Sequence, residues 1–286
     1  MVKIKNVISL LRPWQWYKNL VVFLALIFTS NLTNTKLIFI TVLGLVAMCL
    51  VSSANYVIND IIDRRKDLFH PEKKKRPIAS GKIGIKTGLI IATILMIVGL
   101  GTGLLIGIEF VAVILGLLVV TNLYSLFLKK EPIIDIVTIS ILFALRAVAG
   151  AVAIGVLVSP WLILCTMFVA LFLASAKRTT ELMQLGKKAV KHRDVYKKYS
   201  LRTSVQVTSM SAAMLLIGYS MYSFFSTFDW LIVTLPFAIL TVLKFYQEVL
   251  EGSNIGISPE KALRKPVFVV LLGIWTISVL IVTYGL

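Results

Sequence analysis

Apolar residues in this chain gather in runs of roughly 20, the length that crosses a bilayer as an α-helix, with polar residues confined to the intervals between them. Nine runs follow one another: Asn19–Ser30 with its aromatic lead-in, Leu37–Ile58, Gly84–Ile108, Phe110–Leu128, Ile133–Val158, Trp161–Ala176, Val205–Phe228, Leu231–Leu250 and Pro266–Leu286. The pattern predicts an all-α integral membrane protein of nine transmembrane helices, a single polytopic domain over residues 1–286. The first run is short unless the stretch from Trp14 belongs to it, and Trp14, Trp16 and Tyr17 read as an interfacial aromatic anchor. The alternative there is a surface-lying amphipathic entry helix followed by a shorter span.

Composition removes the soluble alternative: 58% of residues are hydrophobic, 15% are charged and the mean hydropathy is +0.92, against about 25% charged in an ordinary soluble domain. Charge then orients the chain. Of the 30 Lys and Arg, set against 13 Asp and Glu, 28 fall on one side when nine spans are threaded; the exceptions are Lys36 and Arg146, the latter inside the fifth span. By the positive-inside rule that side is cytoplasmic, so the N-terminus is expected in the cytoplasm and the C-terminus outside. The +17 formal charge is thereby a topology signal, and no nucleic-acid partner is needed to explain it. The two long cytoplasmic segments, residues 59–83 and 177–204, are expected to cap the active side of a cell-membrane protein. Cys49 and Cys165 lie in apolar runs and read as small hydrophobes. Basic residues near the N-terminus are not followed by a cleavage site, so no removable signal peptide is expected.

The acidic residues cluster where the chemistry is expected. Asp60, Asp63 and Asp67 close the second span, and at about 100° per residue positions i, i+3 and i+7 share one helix side. Asn55 and Asn59 continue that stripe into the span. Three neighbouring carboxylates repel unless a cation joins them, and oxygen ligands with open positions suit Mg²⁺. The alternative is a solvated helix end neutralised by Arg64, Arg65 and Lys66. Downstream, the run from His70 to Gly81 carries Pro71, Pro77 and a string of basic residues, a loop able to fold back over the carboxylates, with Arg76 the expected ligand contact. A basic patch on anionic lipid headgroups is compatible with the same residues.

Asn59-Asp60-x-x-Asp63-x-x-x-Asp67 followed by Arg76-Pro77-Ile78-x-Ser80-Gly81 resembles the first Asp-rich motif of the UbiA superfamily of intramembrane prenyltransferases, and the nine-span layout is similar. The resemblance implies a nine-helix bundle with a cytoplasmic, Mg²⁺-dependent diphosphate site and an opening for a long isoprenoid chain. The second motif departs from the usual pattern. Between Asn122 and Asp135 only Asp135 is a plausible acid, while Asn122, Ser125 and Lys129 share a helix face at i, i+3 and i+7. Arg146 follows Asp135 by three turns on the same face, and an ionisable residue inside a span is a functional candidate. It reads alternatively as one half of a structural ion pair with an inward-facing acid. At the end of the sixth span, Lys177 and Glu181 form an i, i+4 pair that reads as helix stabilisation, or Lys177 and Arg178 hold phosphate while Glu181 positions them.

Fewer carboxylates and more cations suit a substrate with phosphates beyond one diphosphate. Tyr124-Ser125-x-x-Leu128-Lys129, Leu145-Arg146-Ala147 with Gly150, and Lys177-Arg178-x-x-Glu181 are similar to the polyprenyl-phosphate phosphoribosyltransferase branch of that superfamily. This likeness implies transfer of 5-phosphoribose from phosphoribosyl pyrophosphate to a polyprenyl phosphate, with release of pyrophosphate. Asp60, Asp63 and Asp67 are then the metal ligands, Asn59 orients the leaving group, and Arg76, Lys129 and Lys177 neutralise phosphate oxygens. Asn122, Tyr124, Ser125, Asp135, Arg146, Arg178 and Glu181 complete the expected substrate contacts. His70 and His192 have no acid–base partner nearby in sequence, and an anionic lipid phosphate needs no general base. Two rivals stand beside this reading: prenyl transfer from a prenyl diphosphate to an aromatic or other acceptor, and a transporter path through Asp135 and Arg146. Whether the chain forms a homo-oligomer is left open by the sequence.

Overall fold

The computed structural model describes residues 4–69, 73–192 and 194–285. His70, Pro71 and Glu72, which open the basic loop, lie outside the described residues. Among those described the chain is helical, with no strand: α1 (Ile4–Leu11), α2 (Leu24–Phe28), α3 (Thr35–Ile62), α4 (Arg64–Leu68), α5 (Ile85–Leu104), α6 (Ile108–Leu126), α7 (Ile134–Ala153), α8 (Pro160–Leu185), α9 (Ala189–His192), α10 (Leu201–Phe225), α11 (Leu235–Leu250), α12 (Asn254–Ile257) and α13 (Pro266–Tyr284). Among the described residues seven helical segments are long and apolar enough to cross a membrane: α3, α5, α6, α7, α8, Leu231–Leu250 and α13. The chain is a multi-pass membrane protein.

Two of the nine expected spans are not among those seven, for different reasons. The first expected span is broken: Pro13 opens a 3₁₀ segment, Pro13–Phe23, that hands over to the five residues of α2. The residue before a proline is disfavoured in the right-handed helical region, and Arg12 takes the left-handed conformation at φ 52°, ψ 55°. The other, α10, is a continuous 25-residue helix, but its seven serines and threonines dilute its apolar character.

Two compact units divide the chain, Met1–Val119 with Arg146–Val158 and Val120–Leu145 with Ser159–Leu286. In the first, α3 packs along α5. A Cβ on Gly99 would sit 2.8 Å from Val51 and 3.2 Å from the Ala47 carbonyl, so only glycine permits this approach, the usual means by which membrane helices pack closely. At the charged end of this pair Leu10, Val57, Ile78, Ile83 and Ala92 form a core. It ties α1, α3, the end of the basic loop and α5 together.

In the second unit α8 packs on α10, where Thr179 Oγ1 lies 2.8 Å from both Ser204 Oγ and Thr208 Oγ1. Gly256 of α12 meets α8 so closely that a Cβ would fall 2.0 Å from Thr180 Oγ1. A further core of Leu182, Ala189, Val195, Tyr196 and Tyr199 folds the segment after α8 back onto the helix end.

Candidate active site

The acidic corner of the first unit is built by a helix that stops and a loop that returns. α3 ends at Ile62; Asp63, at φ −83° and ψ 0°, is the corner, and α4 carries Asp67. The single helical stripe expected through Asp67 is thus divided at Asp63. Helical bonding survives across the corner, with the Asp63 amide donating to the Asn59 carbonyl and the Asp67 amide to the Asp63 carbonyl, each at 2.9 Å. Asp60 and Asp67 are buried, each 2% exposed, while Asp63 and Asn59 are partly exposed.

The loop folds back over the carboxylates, and Arg76, expected to meet a ligand, here joins the two buried ones, donating from Nη1 to Asp60 Oδ1 at 3.1 Å and to Asp67 Oδ2 at 2.7 Å. The reason lies in the residues after it: Pro77, Ile78 and Ala79 are buried, and Ile78 is part of the core under the corner. The apolar half of the motif anchors the loop, and the anchored loop aims the guanidinium. Asp63 makes no side-chain hydrogen bond or ion pair among the described residues. Also among these, no group of three His, Cys, Asp or Glu is gathered as a metal cage; arginines stand on the carboxylates where the sequence placed a cation.

Arg12 is the participant that sequence reasoning missed. Its Nη2 donates to Asp60 Oδ1 at 2.5 Å, and its guanidinium lies 5.3 Å from the centroid of the Tyr56 ring, within cation–π range. The Arg-Pro step was its one visible signal, a proline that forces the chain to turn. Two guanidinium groups therefore share Oδ1, whereas Asp60 Oδ2 is buried and has no hydrogen-bond partner. A cleft of about 250 Å³ opens beside them, lined by Ser9, Arg12, Trp14, Gln15, Asp60, Arg76 and Pro77. An unsatisfied carboxylate oxygen in a buried position is costly unless something binds it. Hard oxygen donors of this kind fit Mg²⁺.

Deeper in the same unit Arg146, 8% exposed, donates from Nε to Asn19 Oδ1 at 3.0 Å. Asn19 also approaches Cys49 Sγ at 3.4 Å and Ser52 Oγ at 3.5 Å. Cys49 is therefore more than a space-filler, and Arg146 meets an amide 127 positions away.

The second unit holds the other predicted residues. Asp135, fully buried, pairs with Arg178, Nε to Oδ2 at 2.8 Å. Arg178 Nη1 is 3.7 Å from Glu181, and Glu181 accepts a short hydrogen bond from the Tyr196 hydroxyl. Glu181 is thus engaged by Arg178 and Tyr196, and Lys177 is partly buried. Asn122, Tyr124 and Ser125 sit partly buried on the last turns of α6, but the helix stops at Leu126 and Lys129 is exposed on the 3₁₀ turn Leu128–Lys130. The face expected to run from Asn122 to Lys129 is interrupted at Phe127, where the backbone leaves the helix at φ −124°, ψ −56°; the 3₁₀ turn that follows ends in the extended Glu131 before Pro132.

Tyr199 organises that turn. Its hydroxyl accepts the Ile133 amide at 2.8 Å and lies 3.4 Å from Asp135 Oδ1. Ile133 has φ 67°, an outlier for a β-branched residue. Burial pushes the Tyr199 hydroxyl up to about 12, and the negative charge of Asp135 acts in the same direction.

The UbiA prenyltransferase family model matches residues 19–254. The decaprenyl-phosphate phosphoribosyltransferase of Corynebacterium glutamicum is 31% identical over 291 residues, an alignment covering 98% of this chain and 87% of that protein. An uncharacterized Sinorhizobium fredii protein, y4nM, is 35% identical over 181 residues; the match takes in 63% of this chain but only 35% of the relative's own length. Among solved structures, a UbiA homolog from Archaeoglobus fulgidus bound to DMAPP and Mg²⁺ superposes with a TM-score of 0.72 at 19% identity, covering 98% of this chain and 99% of the other. That likeness concerns the fold. The family match over most of the chain and the Corynebacterium alignment identify a membrane transferase: the chain belongs to the UbiA prenyltransferase family.

Proposed function

We propose that this protein transfers 5-phosphoribose from phosphoribosyl pyrophosphate to a polyprenyl phosphate at the cytoplasmic face of the cell membrane. The observation that carries the site reading is Asp60, buried with one oxygen shared by two arginines and the other unsatisfied. Near full-length similarity to the Corynebacterium enzyme favours phosphoribose as the transferred group. Asp60, Asp63 and Asp67 are the residues that would hold Mg²⁺, with Asn59 beside them. Bound there, the metal would supply positive charge that stabilises a departing pyrophosphate.

The chain's own residues do the rest by charge and placement. An oxygen of the lipid phosphate attacks the anomeric carbon of the ribose; the bond from that carbon to the pyrophosphate oxygen breaks, and pyrophosphate leaves with the electron pair. The attacking oxygen is already anionic, so no side chain has to remove a proton. Arg76 neutralises phosphate charge beside the carboxylates. Phosphate-neutralising roles for Lys129, Lys177 and Arg178, and substrate contacts by Asn122, Tyr124, Ser125, Asp135, Arg146 and Glu181, rest on the sequence resemblance. In this reading the segment from Pro13 to Phe28 and α10 supply the two further crossings, giving nine spans with the N-terminus cytoplasmic and the C-terminus outside. The chain is then one polytopic domain, with residues 59–83 and 177–204 as its cytoplasmic caps.

The test is incubation of the purified protein in detergent with Mg²⁺, a polyprenyl phosphate and ribose-labelled phosphoribosyl pyrophosphate. A labelled lipid is the expected product. Transfer only of a label carried on a prenyl diphosphate overturns the assignment in favour of prenyl transfer.

A further inference from the structure

Arg12 lies upstream of the segment that matches the family model, residues 19–254, yet it makes the shortest contact to the buried carboxylate of the acidic corner. One α3 hydroxyl ties the chain on both sides of it, through a backbone carbonyl before it and an indole side chain after it. Ser53 Oγ donates to the Leu11 carbonyl at 2.8 Å and accepts from Trp16 Nε1 at 3.0 Å. Between those two ties the chain turns through the left-handed Arg12. The elbow is fixed, while the side chain beyond it is 18% exposed and borders the cleft.

The charge balance at the corner explains why such an arginine is present. Asp60 and Asp67 contribute two negative charges, and Arg12 and Arg76 contribute two positive ones. This arrangement keeps the carboxylates compensated without a metal. A divalent cation on Asp60 changes the balance, because a guanidinium at hydrogen-bond distance from the same carboxylate is then repelled. A diphosphate arriving with the cation restores it, and a guanidinium pairs well with phosphate oxygens.

We infer that Arg12 is a phosphate ligand that changes partners: it neutralises Asp60 in the substrate-free protein and turns to a phosphate oxygen of the metal-bound diphosphate when substrate enters the cleft. No bond is made or broken in this exchange. The inference rests on the metal–diphosphate reading of Asp60 but not on the identity of the group transferred, so its test uses pyrophosphate itself.

The test is calorimetric titration of the full-length protein in detergent, first with Mg²⁺ alone and then with pyrophosphate at saturating Mg²⁺. Arg12→Ala is expected to weaken pyrophosphate binding at least about tenfold, while Mg²⁺ alone binds as tightly as to the wild type or more tightly. A purely structural role for Arg12 does not divide the two titrations in this way. Lys5→Ala, which removes an exposed cation of α1 in the same unit, controls for net charge and is expected to leave both unchanged. Should Arg12→Ala not fold, Arg12→Gln, which retains a donor for Asp60, carries the same expectation. Unweakened pyrophosphate binding in a folded Arg12 variant overturns the inference. If Asp60→Ala also binds Mg²⁺ and pyrophosphate normally, the site reading fails with it; if Asp60→Ala loses both, only the role of Arg12 is lost.

Discussion

Each unit contains a buried aspartate paired with arginine, and the two centres are finished differently. Asp135 is fully buried, its Oδ2 taken by Arg178 Nε and its Oδ1 beside the Tyr199 hydroxyl. Both oxygens are occupied by groups that are themselves buried. Asp60 is nearly as buried, but its arginines reach it from the wall of a cleft, crowd onto one oxygen and leave the other unsatisfied. A saturated pair has to give up a partner before it can take a ligand; a partly satisfied one beside a cleft has an oxygen still open. The contrast separates a centre whose groups already satisfy one another from one with an atom left over.

The largest expected effect is therefore on stability, in the second unit. Arg178→Ala strands the Asp135 carboxylate without its cation and is expected to destabilise the protein by about 3–5 kcal/mol, read as a shift in denaturant unfolding. Adding Asp135→Asn should recover much of that loss, because the double variant no longer buries the Asp135 charge. Equal losses in single and double variants would mean that packing, not charge, sets the cost. Asp60→Asn comes next and acts in the opposite sense. It is expected to lower turnover by about 10²–10³-fold and to cost less stability than Arg178→Ala, since Asn keeps an acceptor at Oδ1 and Arg12 and Arg76 border the cleft. A folded Asp60→Asn protein with full turnover would erase the distinction between the centres.

The sequence disclosed these centres unequally, and the reason is geometric. Runs of about 20 apolar residues announce helices without any tertiary information, and seven of the expected spans have the necessary length and apolarity. The acidic corner was also legible, because Asp60, Asp63 and Asp67 follow a helical period and Arg76 lies only 16 positions from Asp60. The contacts that define the centres were not. Arg12 reaches Asp60 across 48 positions, Arg178 reaches Asp135 across 43, and Arg146 finds Asn19 across 127. Periodicity says which face a residue occupies on its own helix and nothing about which other helix meets that face. The Asn122-to-Lys129 face failed for a local reason, since the chain leaves the helix before Pro132.

The smallest expected effect probes how the saturated centre is held together. Tyr199→Phe keeps the ring in its core but removes the acceptor of the Ile133 amide. The loss is expected to cost about 1–3 kcal/mol, partly relieved if Ile133 abandons its strained φ of 67°. The pH dependence identifies the hydroxyl. In the folded protein it ionises near 12, above the ordinary tyrosine value of 10, because burial and the adjacent Asp135 oppose the phenolate. A group whose folded pKa is raised contributes stability that is intact below the unfolded value and lost as pH climbs through the folded one. The stability difference between wild type and Tyr199→Phe should consequently stay flat up to about pH 10 and shrink from there towards pH 12. Taking the difference cancels the titration of the remaining tyrosines. A difference that remains constant through pH 12 would show that neither burial nor Asp135 holds the hydroxyl protonated, and the second centre would then be the Asp135–Arg178 pair alone.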